Sequence, residues 1–312
     1  MMKTDMDPEE FRTAGYRVID WITEYLRNPA QFSPLPAIAP GDFAALIPAH
    51  PPLESDPIGR ILDDFERLIP PASTHWNHPG FFAYFSTSAS GPGILAEALT
   101  AALNVNAMLW RTGPAATELE EITLAWLAEM MGLPAGWDGT INDTASSSTL
   151  YALAAAREHA GLQVRELGLA GRNDVPAMRV YCSEDAHSSI DKAVIALGLG
   201  MSGVRRIKTD SQCRMDAASL SAAIAEDRAA GLLPIAVVAT VGTTSTTAID
   251  PVADIVAASA AAVRAVQVHG GLGYMRSVPA ETRVVEVWIS RWPDAQYGAG
   301  TSASEVVPSL RF

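Results

Sequence analysis

The sequence has few cysteines, a deficit of basic residues and no long hydrophobic run. Cys182 and Cys213 are its only cysteines, which excludes a disulfide framework, and neither lies in a Cys/His cluster with metal-ligand spacing. We therefore expect two structural thiols and no metal site. The 22 Lys and Arg against 35 Asp and Glu give a net charge of -13. This charge argues against nucleic acid as a partner, because such binding depends on cations that displace phosphate counterions.

Membrane and export signals are also missing from the sequence. No window is long and apolar enough to span a bilayer, and the acidic N-terminal segment lacks the apolar centre of a signal peptide. These features predict a cytoplasmic protein with no membrane partner. The hydrophobic fraction of 48% in 312 residues is enough for the core of a large α/β domain with an accessory segment.

The first part of the chain has helical patterning interrupted by prolines. Apolar residues between Phe11 and Leu26 recur at helical spacing, and further helices are predicted over residues 57–68, from 93 to about 103, and from 114 to about 132. The prolines between residues 34 and 48 exclude regular structure there beyond one helical turn. This segment is therefore predicted to be an ordered arm that packs on another surface.

From Thr144 onward, short β-branched or apolar runs alternate with alanine-rich helical ones. The runs "MRVYC", "GVRRIK" and "PIAVVAT" have the composition of strands. Their alternation with helices predicts a mostly parallel sheet with crossover helices. Ligands of open α/β sheets bind beyond the carboxyl ends of the strands, where "SEDAHSS" and "VGTTSTT" fall.

Three loops in this region carry candidate binding residues. The stretch "NDTASSST" opens a helix, where free backbone N–H groups can bind an anion, although helix capping alone is the simpler alternative. Gly242 permits a tight turn before Thr243, Thr244 and Ser245, whose alternative is an ordinary loop. His187 lies between a strand and a helix, where a single histidine is more often structural.

Taken together, the three loops favour a cofactor with a phosphate and a flat aromatic ring. The two hydroxyl-rich loops suit the phosphate, and the imidazole suits the ring. Pyridoxal 5'-phosphate (PLP) has both features.

The sequence resembles the PLP-dependent group II decarboxylases, the family of aromatic-L-amino-acid decarboxylase and tyrosine decarboxylase. The resemblance covers about residues 8–255, in family order. It is carried by "HPGFFAYF", "NVNAMLWRTGPAATELE", "DTASSSTL", "YCSEDAHSSIDKA" and "VVATVGTTSTTAIDPVADI". It implies an α/β fold, the fold type I PLP-dependent transferase-like large domain, over residues 86–263. It also implies an N-terminal helical and proline-rich arm, residues 1–85, that wraps around the second subunit of a homodimer.

The resemblance also implies residue roles. His187 corresponds to the catalytic histidine that stacks on the cofactor ring and helps to place the substrate carboxylate. Ala145 and Ser146 correspond to residues that hold the phosphate on one side, and Thr244 to the hydroxyl on the other.

Three aromatic residues correspond to the pocket for the side chain of an amino-acid substrate, reached across the dimer interface. They are Trp76, Tyr84 and Phe85. On the residues alone, a buried aromatic strand is the alternative.

Two residues that the family uses have no counterpart in this sequence. Counting from Asp250 places His269 where the family has the Asp that pairs with the pyridine nitrogen, and an imidazole supplies no carboxylate charge. The family's Schiff-base lysine lies in a later His-Lys motif, and the chain has only Lys3, Lys192 and Lys208. Lys192 is predicted to be a solvated helix residue rather than the Schiff-base lysine.

The stretch "AVQVHGGLGYMRSVPAE" resembles a flavin-binding segment near the C-terminus of acyl-CoA dehydrogenases. We therefore expect a decarboxylase frame that ends near Val263, followed by a divergent tail over residues 264–312, as a natural fusion or an assembly artefact. The family's small C-terminal domain is then missing.

Three functions remain open. The first is PLP-dependent decarboxylation of aromatic L-amino acids, impaired or lost in this chain. The second is a non-catalytic truncated subunit that binds PLP noncovalently or pairs with a complete homologue. The third is a flavin-dependent role suggested by the tail.

Overall fold

A computed structural model describes residues 6–84, 89–131 and 139–259, together with two strands at 266–270 and 289–290. The described residues up to Ala98 form one compact unit, and those from Leu99 onward form a second. The boundary lies within a helix, α3 (Gly91–Leu103). The division into arm, cofactor domain and tail stays a prediction.

The first unit is built on two helices, α1 (Pro8–Arg27) and α2 (Ile58–Leu68). Asp7 caps α1 by accepting the N–H of Glu9 at 3.0 Å. The two helices are joined by Arg17, whose Nη2 lies 2.7 Å from carboxylate oxygens of both Asp63 and Glu66. The predicted helix over residues 57–68 is therefore confirmed, with its start at Ile58.

The proline-rich segment after α1 is ordered by contacts with His75. It contains short 3-10 turns at Pro29–Gln31 and Ala44–Leu46. The N–H of the buried His75 donates to the carbonyl of Pro34 at 3.1 Å, and its ring stacks on Phe32 with centroids 4.6 Å apart. The hydroxyl of Tyr25 in α1 lies 3.0 Å from His75 Nδ1. Aromatic contacts with His75 therefore anchor the start of the proline-rich segment within the first unit.

Helices α3 and α4 (Pro114–Met130) confirm the last two predictions for the helical part of the chain, although α3 begins two residues before Gly93. Both expose apolar side chains. These include Leu95, Leu99 and Leu103 on α3, and Leu119, Ile122 and Trp126 on α4. Nowhere in the described part of the chain is there a helix with the length and apolarity needed to cross a membrane.

The second unit contains a five-stranded sheet in the order β2-β1-β3-β4-β5. The strands are β1 (Met178–Ser183), β2 (Val204–Ile207), β3 (Leu233–Val241), β4 (Val266–Gly270) and β5 (Ile289–Ser290). Strands β1 to β4 run parallel to one another, and β5 is antiparallel to β4. The three strands predicted from "MRVYC", "GVRRIK" and "PIAVVAT" are confirmed.

Helices cover both faces of this sheet. They are α5 (Ala145–His159), α6 (Val164–Leu167), α7 (Ser189–Ala196), α8 (Ala217–Ala229) and α9 (Val252–Ser259). Val180 and Cys182 pack with residues of α5 and α7, whereas Tyr181, between them, packs with residues of α8 and α9. This alternation follows from the two-residue period of a strand. The predicted α/β fold with a mostly parallel, helix-flanked sheet is confirmed.

The two cysteines differ in burial, which gives a direct test of the core. Cys182 is fully buried, and burial raises the pKa of its thiol to about 12, whereas Cys213 is only partly buried. Because the thiolate is the reactive form, we expect iodoacetamide at pH 8 to label Cys213 at least about a hundredfold faster than Cys182 in the folded protein. Peptide mass spectrometry measures both rates. Equal native rates would contradict this packing, and the denatured chain is the control.

Candidate cofactor-binding site

Two of the candidate loops leave the sheet at the same edge. Strands β1 and β3 are adjacent and parallel, with Cys182 opposite Val238. The loop after β1 and the turn after β3 therefore both lie at the carboxyl edge, where open α/β sheets bind ligands.

The N-terminus of α5 lies at this edge as well. Near its C-terminal end, Ala156 lines a cavity together with Leu233, which begins β3. Nearer its N-terminus, Thr149 Oγ1 donates to Ser189 Oγ of α7 at 3.4 Å, and both residues are buried. Since α7 directly follows the loop after β1, these contacts bring the start of α5 beside the loop that carries His187.

The first turn of α5 combines a helix cap with unused donors. Thr144 Oγ1 accepts the N–H of Ser147 at 3.2 Å, and the Thr144 carbonyl accepts the N–H of Ser148 at 3.1 Å. Within the described residues, the N–H groups of Ala145 and Ser146 have no acceptor, and Ser146 is exposed. Free N–H groups at the positive end of a helix fit a phosphate. Capping and anion binding are therefore compatible here.

His187 is exposed, and its ring is held by the helix that follows it. The N–H of Ser189 donates to His187 Nδ1 at 3.2 Å, so the neutral imidazole carries its proton on Nε2. The carbonyl of His187 accepts the N–H of Ile190 at 3.3 Å. The backbone at the start of α7 thus sets both the tautomer and the direction of the ring.

The turn after β3 is built around Thr243. Gly242 has a φ of +92°, and both its N–H and that of Thr243 donate to the carbonyl of Ala248 at 3.0 Å. The buried Thr243 Oγ1 accepts the N–H of Ala248 at 3.0 Å and also contacts Thr246 Oγ1. Thr244 is exposed at this turn, and its side chain makes no hydrogen bond to the described residues, so its hydroxyl is available to a ligand.

Asp250 closes the same turn, and no pattern in the sequence distinguishes it from a solvated aspartate. Its buried carboxylate accepts the N–H of Thr240 and the N–H of Met215, each at 2.7 Å. Burial raises the pKa of Asp250 above its ordinary value, although both backbone donors act in the opposite direction. Asp250 therefore ties the end of β3 to the segment before α8.

Trp76 and Tyr84, two of the predicted substrate-pocket aromatics, belong to the first unit. The rings of Trp76 and Tyr84 stack with centroids 5.7 Å apart, and the centroids of Trp76 and the buried Phe81 are 5.0 Å apart. The described residues 78–84 form turns rather than a strand, and Tyr84 is 82% exposed. Phe85 lies outside the described residues. The pocket assignment stays a prediction.

The donor set at the sheet edge fits the phosphate and ring of PLP. Lys192 and Lys208 are both exposed, in α7 and after β2 respectively, and Lys3 lies outside the described residues. His269 lies in β4 with its backbone opposite Thr240, near the carboxyl end of β3. That register places an imidazole-bearing residue where the resemblance implies an aspartate.

Comparison with known proteins supports a single family. The sequence model for the pyridoxal-dependent decarboxylase conserved domain matches residues 40–269. The chain is 36% identical over 244 residues to aromatic-L-amino-acid decarboxylase of Sus scrofa, a match covering 75% of this chain and 50% of that protein. It is 37% identical over 238 residues to phenylacetaldehyde synthase of Petunia hybrida, covering 74% and 46% respectively. The chain thus spans about half the length of these curated relatives.

Solved structures give the same result for the fold. Tryptophan decarboxylase of Catharanthus roseus in complex with L-tryptophan matches with a TM-score of 0.80 and 27% identity, covering 92% of this chain and 67% of that one. The Oryza sativa protein TDC, solved with PLP and tryptamine, matches with the same values. The predicted cofactor is thereby confirmed at the level of the family. With the family match extending over most of its length, the chain belongs to the pyridoxal-dependent decarboxylases.

Proposed function

We propose that this chain binds PLP at the carboxyl edge of its sheet in the manner of an aromatic L-amino-acid decarboxylase, noncovalently and with impaired or no decarboxylation. The observation that carries the proposal is the N–H pair of Ala145 and Ser146, free among the described residues, at the edge that also presents His187 and Thr244. Two hydrogen-bonding loops and one oriented imidazole match a phosphate attached to a flat ring.

In this arrangement each residue has a defined task. The α5 N-terminus and the Thr244 hydroxyl would hold the phosphate. His187 would stack on the ring and would donate its Nε2–H to the substrate carboxylate. PLP, when bound, supplies the electron sink for the pair left by loss of carbon dioxide. Trp76, Tyr84 and Phe85 are proposed to line, across the dimer interface, the pocket for the substrate side chain, which the relatives' names suggest is aromatic.

The proposed impairment follows from residue chemistry. A histidine at position 269 provides no fixed negative charge for the pyridine nitrogen, which weakens the electron sink. Lys192 is an exposed residue of α7, whereas a Schiff-base lysine needs its amine at the cofactor. The alternative, a non-catalytic subunit that pairs with a complete homologue, predicts the same cofactor binding.

Absorbance titration with PLP, followed by borohydride reduction and mass spectrometry, tests the binding mode. We expect saturable binding with no covalent adduct. An adduct on Lys192 would contradict noncovalent binding, and the absence of any saturable absorbance change would contradict PLP binding itself.

Activity is tested with tyrosine, tryptophan and dihydroxyphenylalanine in the presence of PLP. Amine and carbon dioxide are expected to form no faster than with free PLP alone. The assay also measures aldehyde, because one relative is named a phenylacetaldehyde synthase. Release of amine at rates ordinary for enzymes would overturn the proposed inactivity.

The Thr244 hydroxyl is testable against its neighbour. Thr244→Ala is expected to weaken PLP binding about tenfold, because one hydrogen bond to a charged phosphate is lost. Ser245→Ala, in the same exposed turn, is the matched control and is expected to bind as the unmodified chain does. Equal losses from both variants would show that the turn, and not Thr244, matters.

A homodimer and a cytoplasmic location are also part of the proposal. The exposed apolar side chains of α3 and α4 support self-association, because such surface is costly to leave in water. Light scattering during size-exclusion chromatography is expected to give twice the chain mass; a monomer at micromolar concentration would contradict it.

The origin of the tail is a separate proposal. Reads of the encoding DNA and transcript across codons 255 to 270 distinguish a genuine fusion from an assembly artefact, since only a fusion has a continuous, well-supported frame. Bound flavin in the purified protein is needed before the acyl-CoA dehydrogenase resemblance carries a function.

A further inference from the structure

Arg206 reaches from strand β2 into the loop that carries His187. Its Nη1 donates to the carbonyls of Ser183 and Ala186, at 3.2 and 3.1 Å. Its Nη2 lies 2.7 Å from each carboxylate oxygen of Asp191, in α7. One guanidinium thus contacts both the segment before His187 and the helix after it.

These bonds act on the backbone that sets the direction of the His187 side chain. The Ala186 carbonyl belongs to the same planar peptide unit as the N–H of His187, so bonding it restricts rotation on both sides of that unit. The ion pair with Asp191 holds α7, whose Ser189 N–H binds His187 Nδ1. His187 is therefore braced from the residue before it and from the helix after it.

The ion pair is partly exposed, so its bracing effect rests on its geometry. The side chains of Arg206 and Asp191 are 33% and 22% exposed. The planar fork of a guanidinium holds carbonyl and carboxylate oxygens in fixed directions, which the flexible ammonium of a lysine does not reproduce.

We propose that Arg206 is a positioning residue that orients His187 for stacking on the PLP ring. This inference rests on the proposed function, in which His187 contacts the cofactor. Arg206 itself acts only through the loop, and ordering the imidazole before binding avoids an entropic loss when the cofactor arrives.

The neighbouring residue of the same strand supplies a matched control. Arg205 points to the opposite face of the sheet, where it binds Asp227, Glu226 and the carbonyl of Ala223. Its side chain is 30% exposed, close to the value for Arg206. Arg205→Met therefore removes a similar charge and a similar set of bonds without touching the His187 loop.

The test compares affinities for PLP and for inorganic phosphate, the latter measured by competition with PLP on the full chain. Arg206→Met is expected to weaken PLP binding about tenfold and to leave phosphate binding unchanged, because ring stacking is lost while the α5 N-terminus is intact. Arg205→Met is expected to leave the ratio of PLP affinity to phosphate affinity unchanged. Arg206→Lys is expected to recover only part of the PLP affinity that Arg206→Met loses. Equal losses of PLP and phosphate affinity in Arg206→Met would overturn the inference.

A double-mutant cycle isolates the route through His187. In a His187→Ala background, Arg206→Met is expected to cause no further loss of PLP affinity, whereas additive losses would overturn the inference. If Arg206→Met does not fold, Asp191→Asn removes the α7 side of the brace and gives the same comparison. Failure of the unmodified chain to bind PLP would overturn the proposed function and this inference together. PLP binding that neither Arg206→Met nor Asp191→Asn alters would overturn the inference alone.

Discussion

Replacing Asp227 with alanine is expected to lower the free energy of unfolding by about 3–5 kcal/mol. The buried Tyr181 hydroxyl loses its acceptor, and the half-buried Arg205 and Arg179 lose their buried counter-charge. The buried carboxylate of Asp227, in α8, accepts the hydroxyl of Tyr181 in β1 at 2.8 Å and Arg205 Nη1 in β2 at 2.7 Å. Arg179 Nε lies 3.7 Å from it and has no hydrogen-bond partner within the described chain. One carboxylate therefore joins two strands to the helix that covers them.

Two milder variants separate the contributions in this network. Tyr181→Phe is expected to cost about 1.5–3 kcal/mol, the range for a hydrogen bond to a charged group. Glu226→Ala removes the exposed partner of Arg205 and is expected to cost at most about 1 kcal/mol. Urea denaturation measures all three. The assignment of Asp227 as the buried centre is wrong if Asp227→Ala and Glu226→Ala cost the same.

Replacing Asp250 with alanine is expected to lower the free energy of unfolding by about 2–6 kcal/mol and to weaken PLP binding. Two buried N–H groups, those of Thr240 and Met215, lose their acceptor, and each unsatisfied buried donor costs about 1–3 kcal/mol. The turn that presents Thr244 also loses its closing contact, so the loss of affinity follows from looser geometry rather than from a lost ligand group.

The controls are a conservative change at Asp250 and the removal of a nearby exposed aspartate. Asp250→Asn keeps one carbonyl acceptor and opposes an amide N–H to the other donor, so it is expected to recover only part of the stability. Asp254→Ala, at an exposed position in the first turn of α9, is expected to change stability by less than about 1 kcal/mol. Urea denaturation and PLP titration of the three variants measure stability and affinity. If Asp250→Ala loses no more stability or PLP affinity than Asp254→Ala, the role given to Asp250 is wrong.

Local patterns predicted most of the second unit. The alternation of apolar strands with alanine-rich helices yields β1, β2 and β3 with their covering helices, because the two-residue and 3.6-residue periods are properties of the chain itself. The serine-rich start of α5 and the turn at Gly242 were likewise predicted from residues that are adjacent in the sequence. The loops at the sheet edge could therefore be named before their positions were known.

The supporting residues of the site could not be found in this way. Arg206, Asp250 and Asp227 are charged residues that no motif of the sequence sets apart, and a solvated side chain is the normal expectation for a charged residue. Their partners Asp191, Met215 and Tyr181 lie 15, 35 and 46 positions away along the chain. No local period connects residues at such separations.

The sequence by itself determined the fold class, the elements that carry the loops, the family and the candidates His187, Ala145, Ser146 and Thr244. Those follow from hydrophobic period, capping chemistry and motif order, which act over a few residues. Only the tertiary structure decided which N–H groups at the α5 N-terminus are free, that His187 accepts at Nδ1, and that Arg206 and Asp250 hold the two loops in place. The reason is physical: hydrogen bonds and burial depend on which distant segments meet, and the parallel sheet alone brings these segments to one edge.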